Sequence, residues 1–203
     1  MSDEKPATDE PRPPQFTPAF IDFIQADWAD YPDVLPAPLP AAAHTAARRE
    51  AISAQFAGER LIMPAGVLKV RSNDCDYMFR PHSAFAHLTG LGADREPDAA
   101  LVLHPVDGGH EAVLYFKPRA PRTDSEFYAD HRYGEMWVGQ RESLAEMAAL
   151  TGLECAPASE LSSAIVGDGR TPTRIVREVD PRLDALADAV RAVLVEEGQQ
   201  RPG

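Results

Sequence analysis

The chain has 203 residues, a formal net charge of -12 and 44% hydrophobic residues. This length suits one domain with tails, or at most two small domains. The acidity argues against nucleic-acid binding, which needs clustered Lys and Arg for the phosphates. No run approaches the roughly 18 apolar residues of a membrane helix. The N-terminus lacks the basic and apolar regions of a secretory signal, so we expect a cytoplasmic protein without nucleic-acid or membrane partners.

The N-terminal part of the chain divides into a tail and an arm. Residues 1–18 are rich in proline and poor in apolar side chains, which predicts a disordered tail. Residues 19–40 predict a helix followed by an extended proline-rich segment, because prolines cannot continue a helix. The helix is indicated by apolar side chains at helical spacing: Phe20, Phe23, Ile24 and Trp28.

Residues 41–196 are predicted to form the main domain. A helix should end at Gly58, a good C-terminal cap. The strand candidates that follow are RLIMP, VLKV, AALVLHP and EAVLYFKP, the last two joined by a hairpin turn at Gly108-Gly109. Polar and apolar residues alternate only weakly along the last two candidates, which predicts that these strands are buried on both faces of a sheet. A long polar and aromatic stretch without clear periodicity comes next, over residues 118–141.

The C-terminal third alternates helices and strands. The predicted elements are the helix ESLAEMAAL, the strand LECAP, the helix ASELSSAIV, the strand TRIVREV and a final amphipathic helix. Asp180 is a good N-cap for that last helix, with Pro181 in its first position. Residues 197–203 are interpreted as the start of a linker. The alternation, together with the hairpin, predicts one α/β domain with a mixed β-sheet flanked by helices.

The usual catalytic signatures are missing. The sequence contains no GxSxG, GxxxxGK[ST] or HExxH motif. Cys75 and Cys155 form no CxxC pair, and the six histidines show no metal-ligand spacing. We therefore predict no catalytic residue and no metal ligand in this chain.

The stretch from Arg71 to Leu103 is crowded with polar, aromatic and turn residues. One interpretation is structural: Asn73 and Asp74 would form an Asx-turn, and Arg80 would pair with Asp74 or Asp76. The other is that the stretch is a surface for a ligand or another domain. Residue types alone leave both open.

Two blocks of residues resemble the N-terminal domain of Xaa-Pro aminopeptidase (aminopeptidase P). The second block is Glu135, Trp137, Gly139 and Arg141 in EMWVGQR. The first block consists of Arg71-Ser72-Asn73-Asp74, Tyr77, Phe79-Arg80-Pro81, Ser83-Ala84-Phe85, Leu88-Thr89-Gly90 and Glu96-Pro97-Asp98-Ala99. The resemblance covers about residues 41–180 and implies the creatinase-type, ribonuclease H-like N-terminal fold.

The resemblance implies a division of labour. In the family, a C-terminal "pita-bread" domain holds two divalent metal ions, typically manganese, through two Asp, two Glu and one His. It removes the first residue of peptides with proline at the second position. The N-terminal domain walls the cleft and drives assembly into dimers or tetramers. By this resemblance the chain carries no cofactor and is inactive alone, and its partners are a catalytic domain, the peptide and further copies.

The resemblance also assigns two substrate-binding residues. Asp74 aligns with an Asp that reaches the cleft and interacts with a gating Arg of the catalytic domain, a charge-assisted contact. Trp137 aligns with a Trp that a neighbouring subunit lends to the substrate pocket, where its ring suits a proline ring.

Two alternatives accompany this interpretation. Relatives with the same layout have lost peptidase activity and bind proteins, among them histone-chaperone subunits, and the charge of -12 suits a basic partner. Other members of the superfamily are Xaa-Pro dipeptidases and creatine hydrolases, which the first block disfavours.

Overall fold

The structure is a computed structural model that describes residues 16–73 and 75–196. Residues 1–15 of the predicted disordered tail (residues 1–18) and the predicted linker at residues 197–203 lie outside this part of the chain. Within the described end of that tail, Thr17 caps a helix that begins at Pro18. The placement of the domain boundary at residue 41 stays a prediction.

The chain forms two compact units. The smaller unit combines the N-terminal residues up to Tyr31 with Arg119–Arg141, and the larger combines Pro32–Pro118 with the residues from Glu142 onward. The polar stretch without periodicity therefore groups with the described residues up to Tyr31 and not with the sheet.

The larger unit contains every described strand and most of the helices. Its strands are β1 Arg60–Pro64, β2 Val70–Ser72, β3 Cys75–Asp76, β4 Ala100–Val106, β5 Gly109–Phe116, β6 Glu154–Pro157 and β7 Thr173–Ile175. The helices of both units are α1 Pro18–Gln25, α2 Ala42–Ser53, α3 Ser83–Thr89, α4 Glu126–Ala129, α5 Glu135–Val138, α6 Leu144–Thr151, α7 Leu161–Val166 and α8 Pro181–Glu196. A 3-10 turn, Ala158–Glu160, precedes α7. Helices α1, α4 and α5 belong to the smaller unit.

Five strands form a mixed sheet in the order β6-β5-β4-β1-β7. The central pairs β1–β4 and β4–β5 are antiparallel, and the outer pairs β1–β7 and β5–β6 are parallel. The predicted fold class, a mixed sheet flanked by helices, is confirmed.

Alternating side chains of the central strands fill two separate cores. On one face Leu101 and Leu103 lie in a cluster with residues of α3 and α6, such as Phe85 and Met147. On the other face Val102 lies in a cluster with residues of α7 and α8. Successive side chains of a strand point to opposite faces of the sheet. When helices cover both faces, the buried part of the strand must therefore be apolar at every position. This explains the weak alternation of AALVLHP and EAVLYFKP.

Several element boundaries differ from the prediction because backbone conformation overrides periodicity. Helix α1 ends at Gln25, and Asp27 has a φ of 59°, so Trp28 lies beyond the helix. The hairpin turn is Asp107-Gly108, and Gly109 already pairs with Val106. In VLKV only Val70 belongs to a strand, which pairs with β3 in a separate two-stranded hairpin.

Other strand and helix ends differ in the same way. Helix α2 ends at Ser53, five residues before the predicted cap. Strand β7 ends at Ile175, and Glu178, which was predicted to continue it, has a φ of 64°.

The predicted start of α8 is confirmed by its hydrogen bonds. The Asp180 carboxylate accepts from the backbone N–H of Arg182 at 2.9 Å. Although burial opposes ionisation, hydrogen bonds from Arg182 hold the pKa of Asp180 below its ordinary value. Of the helices within the described residues, none is long and apolar enough to span a membrane.

Two valines of α8 offer a matched test of the core. Val190 is buried, whereas Val193, one turn later, is exposed. Val190→Ala should lower the free energy of unfolding by about 2 kcal/mol, because two buried methyl groups are lost and a cavity remains. Val193→Ala should change it by less than about 0.5 kcal/mol. Urea unfolding measures both, and equal effects would contradict the assigned face of the helix.

Candidate functional site

Trp137 lies on the one-turn helix α5 with its ring exposed. Its indole N–H donates to the backbone carbonyl of Tyr128 at 2.9 Å, and the His131 ring stands edge-on to it, with centroids 6.5 Å apart. The residue is nevertheless 56% exposed. Since the polar edge is already bonded within the chain, the exposed part available to a ligand is the apolar ring surface.

A tight turn sets the direction of α5. The Asp130 carboxylate accepts from the backbone N–H groups of Arg132 and Tyr133, at 2.8 and 3.1 Å. The N–H of Gly134 then donates to the Asp130 carbonyl at 2.8 Å, and the Gly134 carbonyl accepts from Trp137 at 2.9 Å. The turn thus links the end of α4 to the start of α5 within a few residues.

Gly134 leaves no room for a side chain. A Cβ at this position would lie 3.0 Å or less from the carbonyl oxygens of Glu126, Phe127 and Asp130. Its φ of -67° is open to any residue, so the constraint is steric and not conformational. The close approach brings α5 against the last turn of α4.

The Glu135 carboxylate joins three segments of the smaller unit. One oxygen accepts from the Tyr31 hydroxyl at 2.5 Å, and the other accepts from the Arg122 guanidinium at 2.9 Å. The side chains of the ion pair are 17% and 12% exposed, so water screens it little. Arg122 also donates to the carbonyl of Ala29. We call Tyr31, Arg122 and Glu135 the Glu135 cluster.

Protonation in the Glu135 cluster follows from these contacts. Burial raises the pKa of Tyr31, and the Glu135 carboxylate raises it further, so the phenol remains a donor at neutral pH. The hydrogen bond to Glu135 raises the pKa of Arg122. Tyr31 and Arg122 therefore both stay protonated and can donate to the Glu135 carboxylate.

Gly139 and Arg141, the remaining motif residues of EMWVGQR, have structural roles. Gly139 ends α5 with a φ of 81°. The Arg141 carbonyl accepts from Arg119 at 3.2 Å, and the Arg141 guanidinium lies over the Tyr133 ring, 4.8 Å from its centroid. Both therefore maintain the segment that carries Trp137.

The loop that carries Asp74 belongs to the larger unit. Asp74 itself lies outside the described residues, so its predicted role stays a prediction. On either side of it, Ser72 pairs with Cys75 in the β2–β3 hairpin, and Asn73 has a φ of 48°. Asn is one of the few residues that adopt this left-handed conformation readily, which agrees with the predicted turn.

The remaining residues of the first block divide into exposed and structural ones. Tyr77 is 59% exposed beside Met78, whereas Phe79 and Phe85 are buried in the core. A pocket of about 190 Å³ lies at this loop, lined by Val67, Lys69, Tyr77, Met78, Phe79 and Arg80.

The Leu88-Thr89-Gly90 part of the block ends α3. The hydroxyl of Thr89 donates to the Phe85 carbonyl at 2.8 Å and accepts from the N–H of Leu91. Gly90 caps the helix with a φ of 80°, and its ideal Cβ position is 3.0 Å from the Ala41 methyl. Leu88-Thr89-Gly90 is thus explained by local structure without a ligand.

Sequence reasoning missed Tyr31 and Arg122. Tyr31 is 104 residues from Glu135, and a single sequence has no periodicity that connects such positions. The sequence did offer one indication of an ion pair here. Glu135 belongs to the recognised motif and lies in a stretch that also contains several arginines and aromatic residues.

Comparisons with known proteins agree with the motifs. The chain matches the family model described as Aminopeptidase P, N-terminal domain, over residues 45–171. Xaa-Pro aminopeptidase 1 of Streptomyces coelicolor is 43% identical over 175 residues, which cover 86% of this chain and 35% of the relative. Xaa-Pro aminopeptidase 2 of the same organism is 44% identical over 164 residues, covering 80% and 34%. The chain thus spans about a third of the length of the curated relatives it matches.

Solved structures agree as well. Aminopeptidase PepP of Pseudomonas aeruginosa has a TM-score of 0.59 at 25% identity, covering 83% of this chain and 36% of that chain. Aminopeptidase P of Escherichia coli has a TM-score of 0.61 at 20% identity, covering 80% and 36%, and supports the fold alone.

Gly134 provides a test of the turn that carries Trp137. Gly134→Ala should destabilise the smaller unit by about 1–3 kcal/mol, because the methyl group is forced against three carbonyl oxygens. Gly92→Ala is the control, since a Cβ there meets no atom within 4 Å. Urea unfolding followed by tryptophan fluorescence measures the effect, as both Trp28 and Trp137 belong to this unit. An unchanged midpoint in Gly134→Ala would refute the close packing.

Proposed function

Because this chain belongs to the aminopeptidase P N-terminal domain family, we propose that it is the N-terminal domain of a metal-dependent Xaa-Pro aminopeptidase. Its role is to restrict access to the active-site cleft and to hold subunits together. The peptide substrate carries proline at its second position. The observation that carries this proposal is the state of Trp137, whose indole N–H is bonded within the chain while more than half of the residue is exposed.

The chemistry of Trp137 suits a proline-containing peptide. Proline has no backbone N–H, so its recognition depends on contact with its ring more than on hydrogen bonds. A tryptophan ring supplies a large apolar surface with few rotatable bonds, so little conformational entropy is lost on binding. Trp137 would therefore cover the proline ring of the substrate.

The surroundings of Trp137 support contact with a second molecule. Met136 and Val138, its neighbours on α5, are also about half exposed. Three consecutive exposed apolar residues on a single helical turn are unusual for a solvated surface and typical of a contact surface. This supports the proposal that α5 meets a neighbouring subunit, which receives Trp137 at its substrate pocket.

Asp74 is assigned the second role. Its carboxylate would accept a charge-assisted hydrogen bond from an arginine of the catalytic domain. Such a bond would fix the arginine at the entrance of the cleft. This assignment rests on the alignment of Arg71-Ser72-Asn73-Asp74 with the family motif.

The two divalent metal ions belong to the other domain in this proposal. Among residues 16–73 and 75–196, no three His, Cys, Asp or Glu side chains converge in a group that could hold a metal ion. The described residues therefore do not fit the metal pair, and no hydrolytic step is assigned to them. In this proposal the chain helps to bind and orient the peptide substrate and restricts access to the active-site cleft.

The first test concerns the chain by itself. The purified 203-residue chain should release no N-terminal residue from a peptide such as Ala-Pro-Phe, with or without added manganese, because the groups that activate water lie elsewhere. Amino-acid release measured by mass spectrometry detects turnover. Activity that copurifies with the chain and is abolished by a chelator would overturn the proposal.

The second test concerns Trp137 in the longer protein that carries this domain and a catalytic domain. Trp137→Ala should lower kcat/KM for an Xaa-Pro peptide by about tenfold, the effect of losing one aromatic contact. Val193→Ala, which truncates an exposed side chain of α8, is the control. Unchanged kinetics in Trp137→Ala would remove this residue from the substrate pocket. A longer protein without any peptidase activity would instead favour the protein-binding module.

A further inference from the structure

Residues 16–31, a different range from the arm predicted over residues 19–40, form a segment that we call the N-terminal arm. The family match begins at residue 45 and does not include it. Its helix α1 has no buried residue, so the helix alone gives little reason for the arm to stay in place. Phe16, before the helix, stands edge-on to Tyr128, with ring centroids 5.7 Å apart, and further contacts that hold the arm come from the residues after the helix.

Trp28 and Tyr31, the aromatic residues after the helix, also anchor the arm to the segment Arg119–Arg141. The Trp28 ring stands edge-on to Phe127, with centroids 5.3 Å apart, and Phe127 is fully buried. The guanidinium carbons of Arg119 and Arg122 lie over the Tyr31 ring, 3.8 and 4.0 Å from its centroid. Cation–π contacts of this kind are stronger where water is partly excluded.

The arm also reaches the helix that carries Trp137. The Tyr31 hydroxyl donates to Glu135, the first residue of α5. Arg122 bonds the other oxygen of the same carboxylate and a carbonyl of the arm, at Ala29. The arm, Arg122 and α5 are therefore connected through one carboxylate.

Helix α5 depends on such external contacts. It has four residues, none of them buried, which is far too short for a helix to be stable by itself. Its start is held by the Glu135 cluster, and its Trp137 is held by the Tyr128 carbonyl. If the start of α5 is released, the direction of the Trp137 ring is no longer fixed.

We propose that the N-terminal arm is a positioning element of the substrate site, and that Tyr31 and Arg122 fix α5 so that Trp137 presents its ring in one orientation. Neither residue contacts the peptide; both act through Glu135. The inference rests on the proposed function for the role of Trp137 as the substrate contact. The positioning itself is a property of this chain and is tested without activity.

The first experiment measures positioning in the 203-residue chain. The backbone N–H groups of Trp137, Val138 and Gly139 bond to the carbonyls of Gly134 and Glu135. In Tyr31→Phe their hydrogen exchange, followed by NMR, should accelerate by about tenfold, the effect of losing one hydrogen bond to a carboxylate.

Tyr128→Phe is the matched control for that experiment. It removes a hydroxyl that makes no hydrogen bond to the described residues, while the carbonyl that binds Trp137 remains. Exchange should stay unchanged in this variant. If Tyr31→Phe also leaves exchange at α5 unchanged, the positioning role is overturned, whatever Trp137 does.

The second experiment measures kcat/KM in the longer protein with a catalytic domain. Tyr31→Phe should lower it in the natural background and have no further effect in Trp137→Ala, because both changes act through the same ring. If Tyr31→Phe lowers kcat/KM equally in both backgrounds, the proposal that Tyr31 acts by positioning Trp137 is overturned. Faster exchange at α5 in Tyr31→Phe, combined with unchanged kinetics in Trp137→Ala, would refute the proposed function and leave the positioning role intact.

Discussion

The smaller unit depends on the Glu135 carboxylate. It bonds the N-terminal arm through Tyr31 and the segment Arg119–Arg141 through Arg122, and Glu135 is itself the first residue of the helix that carries Trp137. A carboxylate that is 12% exposed has lost most of its hydrating water, and the two donors replace hydrogen bonds from that water. Removal of either donor leaves an incompletely bonded charge, so the cluster should be lost as a whole and not contact by contact.

The larger unit is stabilised mainly by the burial of apolar side chains. Its sheet is covered on both faces, and alternate residues of β4 and β5 supply two apolar cores. Such a scaffold tolerates polar, irregular loops at its edges because the strands that anchor them are fixed by burial. The β2–β3 hairpin, together with exposed Tyr77 and Met78 directly after it, is one of these loops. The functional roles proposed for this domain thus belong to short, exposed elements such as α5 and the β2–β3 loop. The five-stranded sheet and the helices that cover it maintain the fold.

The sequence was informative where local chemistry decides the structure. Apolar runs predicted the buried strands, and Asp180 with Pro181 predicted the start of α8, because caps and burial act over a few residues. Motifs predicted the family. The Glu135 cluster could not be predicted in this way, since Tyr31 and Glu135 are brought together only by the fold. Helix α1 was predicted too long because the left-handed conformation of Asp27 cannot be read from apolar spacing.

The central claim is that Tyr31 and Glu135 are energetically coupled, and a double-mutant cycle tests it most directly. The free energy of unfolding of the 203-residue chain would be measured in urea for Tyr31→Phe, Glu135→Gln and the double variant. The account predicts a coupling energy of about 1–3 kcal/mol, as for a partly buried hydrogen bond to a charged group. Additive effects, with a coupling energy near zero, would show that the arm and α5 are stabilised independently and would contradict the account.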